Sequence, residues 1–352
     1  MPFPRPFRIG RDFFRSLSPH RPQPPVTGSL PGQRGFALPT WESDGYEDPH
    51  APAYLRQIAS VGANWVQLNP TWYQSDQATD IIRTTVETPG DSGVARMIYL
   101  AHRQGLKVLL KPHVDLEDDT DRATIRPASP DDWFRAYGDI VAHYARLAAW
   151  CGADAFAVGT ELAGTVGDRR RWLGVVDRAR TAYAGPLLYA ANYDEYEDVR
   201  FWDAVDVIGI DAYWPLSDTP TTDVRRLTQA WAPVCDQLAR FAARAGKDVL
   251  FTEAGYTSVR GGVTAPYSWT VSRTPDAAEQ AAGYEALLRA FTGRPWWAGV
   301  HWWLWEQLPA ETGRTRSLDY CAHGKDAEDV VARWWASPGP REGTARREAR
   351  QT

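Results

Sequence analysis

The sequence predicts an α/β fold, a single-domain (β/α)8 TIM barrel in which eight parallel strands alternate with helices. Three observations lead to this prediction. The chain has 352 residues, of which 43% are hydrophobic and 24% charged, which is enough for one large core. Short apolar runs alternate with longer stretches of helical period, the pattern of β/α units around a parallel sheet. Eight such runs can be counted, and eight strands close this kind of barrel.

Each predicted strand is a short apolar run bounded by turn residues or by a helical stretch. In chain order the strands are 34–38 (RGFAL), 64–69 (NWVQLN), 106–112 (LKVLLKP), 154–160 (DAFAVGT), 187–191 (LLYAA), 206–210 (DVIGI), 248–253 (DVLFTE) and 299–304 (GVHWWL). Pro130 begins a long amphipathic helix that runs through Ala149, and Gly246 has the C-cap position of another helix. The segment 256–275, rich in Thr, Ser, Gly and Pro, predicts a long loop over the barrel mouth.

Composition limits the organisation of the chain and its partners. We predict one domain at 32–335 between two flexible tails, 1–31 and 336–352. A net charge of −5 and a pI near 5.8 provide no basic field for nucleic acid or an anionic membrane. The sequence has no apolar run of transmembrane length and no recognisable secretion signal, so we expect a cytoplasmic location. The three cysteines form neither a disulfide framework nor a metal motif. We expect a monomer without metal or other cofactor.

Polar and aromatic side chains collect at the predicted C-terminal strand ends, where the active site of this fold lies. In strand order they are Asn69, Trp72, Tyr73 and Gln74; Lys111, His113 and Asp115; Thr160 and Glu161; Asn192; Asp211 and Tyr213; Glu253 and Tyr256; and Trp303, Trp305 and Glu306. Glu161 and Glu253 stand in runs otherwise too apolar to hold a carboxylate without a reason. We therefore predict that these two glutamates face each other across the mouth.

Two facing carboxyl groups suit glycoside hydrolysis. One carboxylic acid protonates the leaving oxygen, while the other meets the oxocarbenium-like carbon; at a separation of about 5–5.5 Å the second is a nucleophile and the configuration is retained. Carboxyl groups this close divide into one protonated and one charged member. When the nucleophile is esterified its charge disappears, so the acid can then serve as base for water.

Five motifs resemble a known family: LLKPHVD (109–115), VGTEL (158–162), YAANYD (189–194), GIDAYWPL (209–216) and FTEAGY (251–256). With these motifs the chain resembles glycoside hydrolase family 113 of clan A from about residue 34 to 310, a family whose known members degrade β-mannan. The resemblance implies a retaining hydrolase of β-1,4-linked mannan or manno-oligosaccharides, with Glu161 as acid/base and Glu253 as nucleophile. An oligo- or polysaccharide would be its partner.

Supporting roles follow from side-chain chemistry. We expect Tyr213 to donate its hydroxyl to Glu253. Trp303 or Trp305 would form the floor under the sugar, because a flat ring suits the apolar C–H face of a pyranose. Further subsites are expected from Trp72, Tyr73, Trp214 and Trp269. The candidates for binding sugar hydroxyls are Asn69, Gln74, Lys111, His113, Asp115, Asn192 and Asp211.

Several points stay open at the level of sequence. Many clan A enzymes have Asn before the acid/base, where it bonds the sugar 2-hydroxyl, but this chain has Thr160, so Asn69 or Asn192 would have to supply that contact. His113 and Asp211 fit structural hydrogen bonding as well as sugar contact. The alternatives are another clan A glucanase, xylanase or transglycosidase, a metal-dependent hydrolase using His113, Asp115 and His301, and a carbohydrate-binding barrel without catalysis. Endo and exo action are not distinguished.

Overall fold

The computed structural model describes residues 30–306 and 318–336; the predicted tails lie outside these residues apart from positions 30, 31 and 336. The strands are β1 (Gln33–Ala37), β2 (Trp65–Leu68), β3 (Thr71–Gln74), β4 (Lys107–Leu110), β5 (His113–Leu116), β6 (Ala155–Thr160), β7 (Leu187–Asn192), β8 (Val207–Asp211), β9 (Val249–Ala254) and β10 (Trp297–Trp302). The helices are α1 (Ala51–Ser60), α2 (Asp91–Arg103), α3 (Pro130–Cys151), α4 (Arg169–Ala182), α5 (Val224–Ala230), α6 (Ala232–Ala245), α7 (Ala277–Phe291) and α8 (Asp326–Ala336).

Eight of these strands close a parallel barrel in the order β1-β10-β9-β8-β7-β6-β4-β2, so the predicted (β/α)8 barrel is confirmed. Each barrel strand overlaps one of the predicted apolar runs. Side chains on one face of the strands, such as Leu109, Leu188 and Leu250, form a small cluster inside the barrel. The other face joins the larger core beneath the helices. Both faces are therefore buried, which explains why these strands read as continuous apolar runs.

Proline and glycine residues mark the ends of two of the helices. Helix α3 begins with Pro130 in its first turn and ends where Gly152 adopts a left-handed conformation, with φ of 77°. It is two residues longer than predicted, because only Gly152 supplies the C-cap. Helix α6 ends at the predicted Gly246, with φ of 64°.

A small parallel sheet above the barrel was not predicted. Strands β3 and β5 pair in register from Thr71 opposite His113. Each follows a barrel strand after a proline, Pro70 or Pro112, which has no N–H to continue the ladder. The interruption turns the chain into a second sheet, which carries His113 and Asp115 over the mouth.

The long loop predicted at 256–275 lies between β9 and α7. Its backbone N–H groups at Gly261 and Val263 donate to the buried Glu279 carboxylate in the first turn of α7. This contact fixes the loop to the helix that follows it. Within residues 30–306 and 318–336, no helix is both long and apolar enough to cross a membrane.

Candidate active site

Glu161 lies directly after β6 in a backbone conformation unusual for its residue type. Its φ is 53°, in the left-handed region, which costs a residue other than glycine about 1–3 kcal/mol and persists only where surrounding contacts hold the backbone. Two hydrogen bonds do so: the Glu161 N–H donates to Ala190 O at 2.8 Å, and the Tyr189 hydroxyl accepts from Leu162 N at 2.8 Å. Such strain is typical of functional positions.

Glu253, on β9, has both carboxylate oxygens occupied by donors. Lys111 Nζ lies 2.5 Å from Oε1, and the Tyr213 hydroxyl donates to Oε2 at 2.9 Å. His113 Nε2 is 3.7 Å from Oε1. An ammonium group and a hydroxyl thus fix the orientation of the carboxylate.

Lys111 joins two buried carboxylates from different strands. Its Nζ lies 3.0 Å from Asp211 Oδ2 as well as 2.5 Å from Glu253 Oε1, and the lysine side chain is fully buried. Burial alone would lower the Lys111 pKa, but the charges of Asp211 and Glu253 outweigh it and raise the pKa above its usual value. Burial and the Glu253 charge raise the pKa of Asp211 to about 6. Thr252 also donates to Asp211 Oδ1, at 2.6 Å.

The environment of Glu161 favours its protonated form. Burial raises its pKa well above the ordinary value, and the negative charges of Asp211 and Glu253 act in the same direction. Two cations oppose them: Lys111 and Arg122, whose Nη1 donates to Glu161 Oε2 at 3.0 Å. The two glutamates therefore have different surroundings, as an acid and a nucleophile require.

Arg122 belongs to the site, although it was not among the predicted site residues. It lies in a 3-10 turn, Arg122–Thr124, and pairs with Asp115, whose Oδ1 accepts from Arg122 Nε at 2.7 Å. Asp115 and Glu161 raise the Arg122 pKa against the effect of burial. The sequence feature that could have indicated Arg122 is its place directly after the acidic run EDDTD at 117–121.

Three further predicted residues meet near Glu253. Asn69 Nδ2 lies 2.9 Å from His113 Nε2, and the His113 ring stacks over Trp303 with 6.2 Å between centroids. Burial, together with Arg122 and Lys111, lowers the His113 pKa well below its usual value. His113 is therefore neutral at physiological pH.

Three other residues predicted to contact sugar are held by neighbouring side chains. The Trp72 indole donates to a tyrosine of α3, and Gln74 accepts from a tryptophan of the same helix. The Trp305 ring is fully buried against Phe36, with 4.9 Å between centroids. Trp305 also lines the cavity at the ends of β1 and β10 that includes Trp41. Contact of these three side chains with sugar stays a prediction. The Thr160 hydroxyl donates to Pro112 O at 3.4 Å, towards the neighbouring strand.

Two cavities flank the mouth on opposite sides of the barrel. One, of about 580 Å³, is lined by Ala163 after β6, Asn192 at the end of β7, and Thr124. The other, of about 530 Å³, lies at the ends of β1 and β10 and includes Trp41, which is 45% exposed. In the strand order, the pair β6 and β7 lies across the barrel from β1 and β10. The two cavities therefore lie at opposite ends of a line across the barrel mouth.

The residues of the metal hypothesis do not converge. His113 contacts Asn69, Asp115 pairs with Arg122, and His301 bonds Gln33 at 2.8 Å inside the barrel. In the described part of the chain, no group of three or more His, Cys, Asp or Glu side chains is arranged to hold a metal ion.

Comparison with known proteins places this site in a family. The sequence model of Glycoside Hydrolase Family 113 matches residues 37–325. A solved β-1,4-mannanase complex of that family is 25% identical, with a TM-score of 0.80 over 88% of this chain and 100% of the other. The β-mannanase AaManA from Alicyclobacillus acidocaldarius, solved with ManMIm, is 31% identical, with a TM-score of 0.80 over 88% and 98% of the two chains. No curated protein matches the chain.

The family model spans most of the chain, including Glu161, Glu253 and the groups that contact them. The same residues form the mouth of a barrel that superposes on two β-mannanases of that family. The chain therefore belongs to glycoside hydrolase family 113 and is a glycoside hydrolase.

Proposed function

We propose that this enzyme hydrolyses β-1,4-linked mannan or manno-oligosaccharides with retention of configuration, using Glu161 as acid/base and Glu253 as nucleophile. The observation that carries the proposal is the contrast between these two carboxyl groups. Glu253 accepts from an ammonium group and a hydroxyl, whereas burial and neighbouring negative charge raise the pKa of Glu161.

The reaction has two steps. In the first, a Glu253 oxygen attacks C1 of the sugar, the bond from C1 to the leaving oxygen breaks, and Glu161 gives that oxygen its proton. In the second, water attacks C1, Glu161 takes a proton from the water, and the bond from C1 to Glu253 breaks. Glu253 returns to a carboxylate and Glu161 to an acid, so both groups are regenerated.

Trp303 is the proposed floor under the sugar that is attacked. It is packed beside His113, whose Nε2 lies 3.7 Å from Glu253 Oε1, whereas the Trp305 ring is fully buried. Asn69, hydrogen-bonded to His113, is the amide proposed to bind the 2-hydroxyl in place of the Asn that Thr160 replaces. The preference for mannose is supported by the two family members described above, both of them β-mannanases.

Cavities on both sides of the glutamates support cleavage within a chain. Glu161 protonates the leaving oxygen, so the leaving sugars would occupy the cavity beside Ala163 and Asn192. The sugars on the side of the attacked carbon would extend past Trp303 to Trp41. We therefore propose endo action. The cytoplasmic location and the monomeric state stay predictions.

The test is incubation of the enzyme with mannohexaose, cellohexaose and xylohexaose, followed by analysis of product size and anomeric form. We expect cleavage of mannohexaose into several sizes, with the β-anomer formed first. An initial α-anomer would contradict retention, and release of single sugars alone would contradict endo action. Binding of mannohexaose without cleavage would indicate a barrel that has lost catalysis.

A further inference from the structure

Asp115 and Arg122 form an ion pair that touches the proposed acid/base but takes no part in the two chemical steps. Arg122 donates two hydrogen bonds: Nε donates to Asp115 Oδ1 at 2.7 Å, and Nη1 donates to Glu161 Oε2 at 3.0 Å. The three side chains are largely buried, with 23%, 17% and 14% exposure for Asp115, Arg122 and Glu161. One guanidinium group thus bridges the acid/base and a second carboxylate, which comes from β5.

We propose that Asp115 and Arg122 are positioning residues that set the pH range in which Glu161 acts as an acid. Arg122 orients the Glu161 carboxyl and limits how strongly it holds its proton. Asp115 accepts a hydrogen bond from the same guanidinium group, and its negative charge partly offsets the positive charge that Arg122 exerts on Glu161. This inference rests on the proposed function, because it takes Glu161 as the acid/base.

The two steps of the reaction explain why a fixed cation is useful here. Glu161 must hold a proton in the first step and lack one in the second. While Glu253 is charged, its negative charge favours the protonated form of Glu161. Once Glu253 is esterified that charge is gone, but Arg122 remains 3.0 Å from Glu161 and favours the carboxylate. The arginine therefore lowers the Glu161 pKa in both steps: it limits how tightly the proton is held in the first and favours the carboxylate that the second requires.

Other charged and titratable groups also act on Glu161 from the elements around it. They are Lys111 after β4, Asp211 at the end of β8, Glu253 on β9, and the tyrosines Tyr213 and Tyr320. Lys111 and Tyr213 hydrogen-bond to Glu253, and Asp211 shares Lys111, so changing any of them disturbs the nucleophile. The hydrogen bonds of Arg122 go to Asp115 and Glu161, although its charge also acts on Glu253 and His113. This pair is therefore the place to alter the acid/base while the hydrogen bonds of the nucleophile stay intact.

The experiment measures kcat/KM for mannohexaose against pH in the wild type and three variants. Arg122→Gln removes the cation, so the Glu161 pKa should rise. We therefore expect the alkaline limb of the kcat/KM profile, where Glu161 loses its proton, to move to higher pH by about one unit. Asp115→Asn leaves the Arg122 charge less neutralised, so the limb should move to lower pH. Arg122→Lys keeps the charge and should leave the limb close to that of the wild type.

The control is Arg83→Gln, which breaks the exposed pair of Arg83 with Glu117 just beyond β5, and should leave the limb in place. Melting temperatures show whether each variant is folded. An unchanged limb in both Arg122→Gln and Asp115→Asn, or shifts in the same direction, would overturn the inference. An inactive wild type, or Glu161→Gln with the wild-type rate, would instead overturn the proposed function.

Discussion

Lys111→Met tests whether the buried ammonium group holds the site together. Methionine keeps most of the lysine stem, so the change removes charge and little packing volume. Lys111 and Asp211 are completely buried and Glu253 nearly so, with Nζ–O distances of 3.0 and 2.5 Å. Removing one partner from such a buried group costs about 3–5 kcal/mol. At about 2 °C in Tm per kcal/mol for a large domain, we expect a loss of about 6–10 °C.

The assay measures Tm by calorimetry or circular dichroism. The wild type, Lys111→Met, Asp211→Asn and the double variant together form a double-mutant cycle. The double variant removes one negative charge together with the ammonium group, so we expect it to recover about half of the Tm lost in Lys111→Met. It should not recover activity, because Glu253 still lacks its cation. A Tm for Lys111→Met within about 1 °C of the wild type would refute the reasoning.

Two further substitutions test the surroundings of the reacting sugar. Tyr213→Phe removes a hydrogen bond to the Glu253 carboxylate, worth about 1.5–3 kcal/mol, and should lower kcat/KM about 10–100-fold. Tyr196→Phe, which loses a buried hydroxyl without a hydrogen-bond partner in the structure, is the matched control, and an equal loss in both would contradict the assignment. Trp41→Ala should lower kcat/KM about 5–30-fold for mannohexaose but little for an aryl β-mannoside, since the exposed ring lies beyond the first sugar. Trp150→Ala, at a similarly exposed tryptophan on α3, should affect neither substrate.

The sequence predicted those parts of the structure whose positions follow from the order of the strands in the barrel. All eight barrel strands overlap their predicted runs, because strands buried on both faces must be apolar. The strand ends then located Glu161 and Glu253, since the fold brings those ends to one mouth. Tyr213 could be placed beside Glu253 because it follows closely on Asp211 at the next strand end.

Side-chain direction beyond the strand ends could not be predicted. β10 ends at Trp302, so the alternation of a strand no longer decides where Trp303 and Trp305 point; Trp303 stacks on His113, whereas Trp305 is fully buried against Phe36. The hydrogen bond of the Trp72 indole to α3 was not predicted, because β3 was unforeseen. Arg122 was missed because the conformation of its loop, and not a local pattern, brings it to Glu161.

The most direct test of the central claim is the stereochemistry of azide rescue on an aryl β-mannobioside with a good leaving group. In Glu253→Ala, azide would occupy the space of the missing nucleophile and attack opposite the leaving group, so we expect the α-glycosyl azide. In Glu161→Ala, the covalent intermediate still forms on Glu253 and azide attacks from the other face, so we expect the β-glycosyl azide. The same anomer from both variants, or wild-type hydrolysis by Glu253→Ala, would contradict the assigned roles.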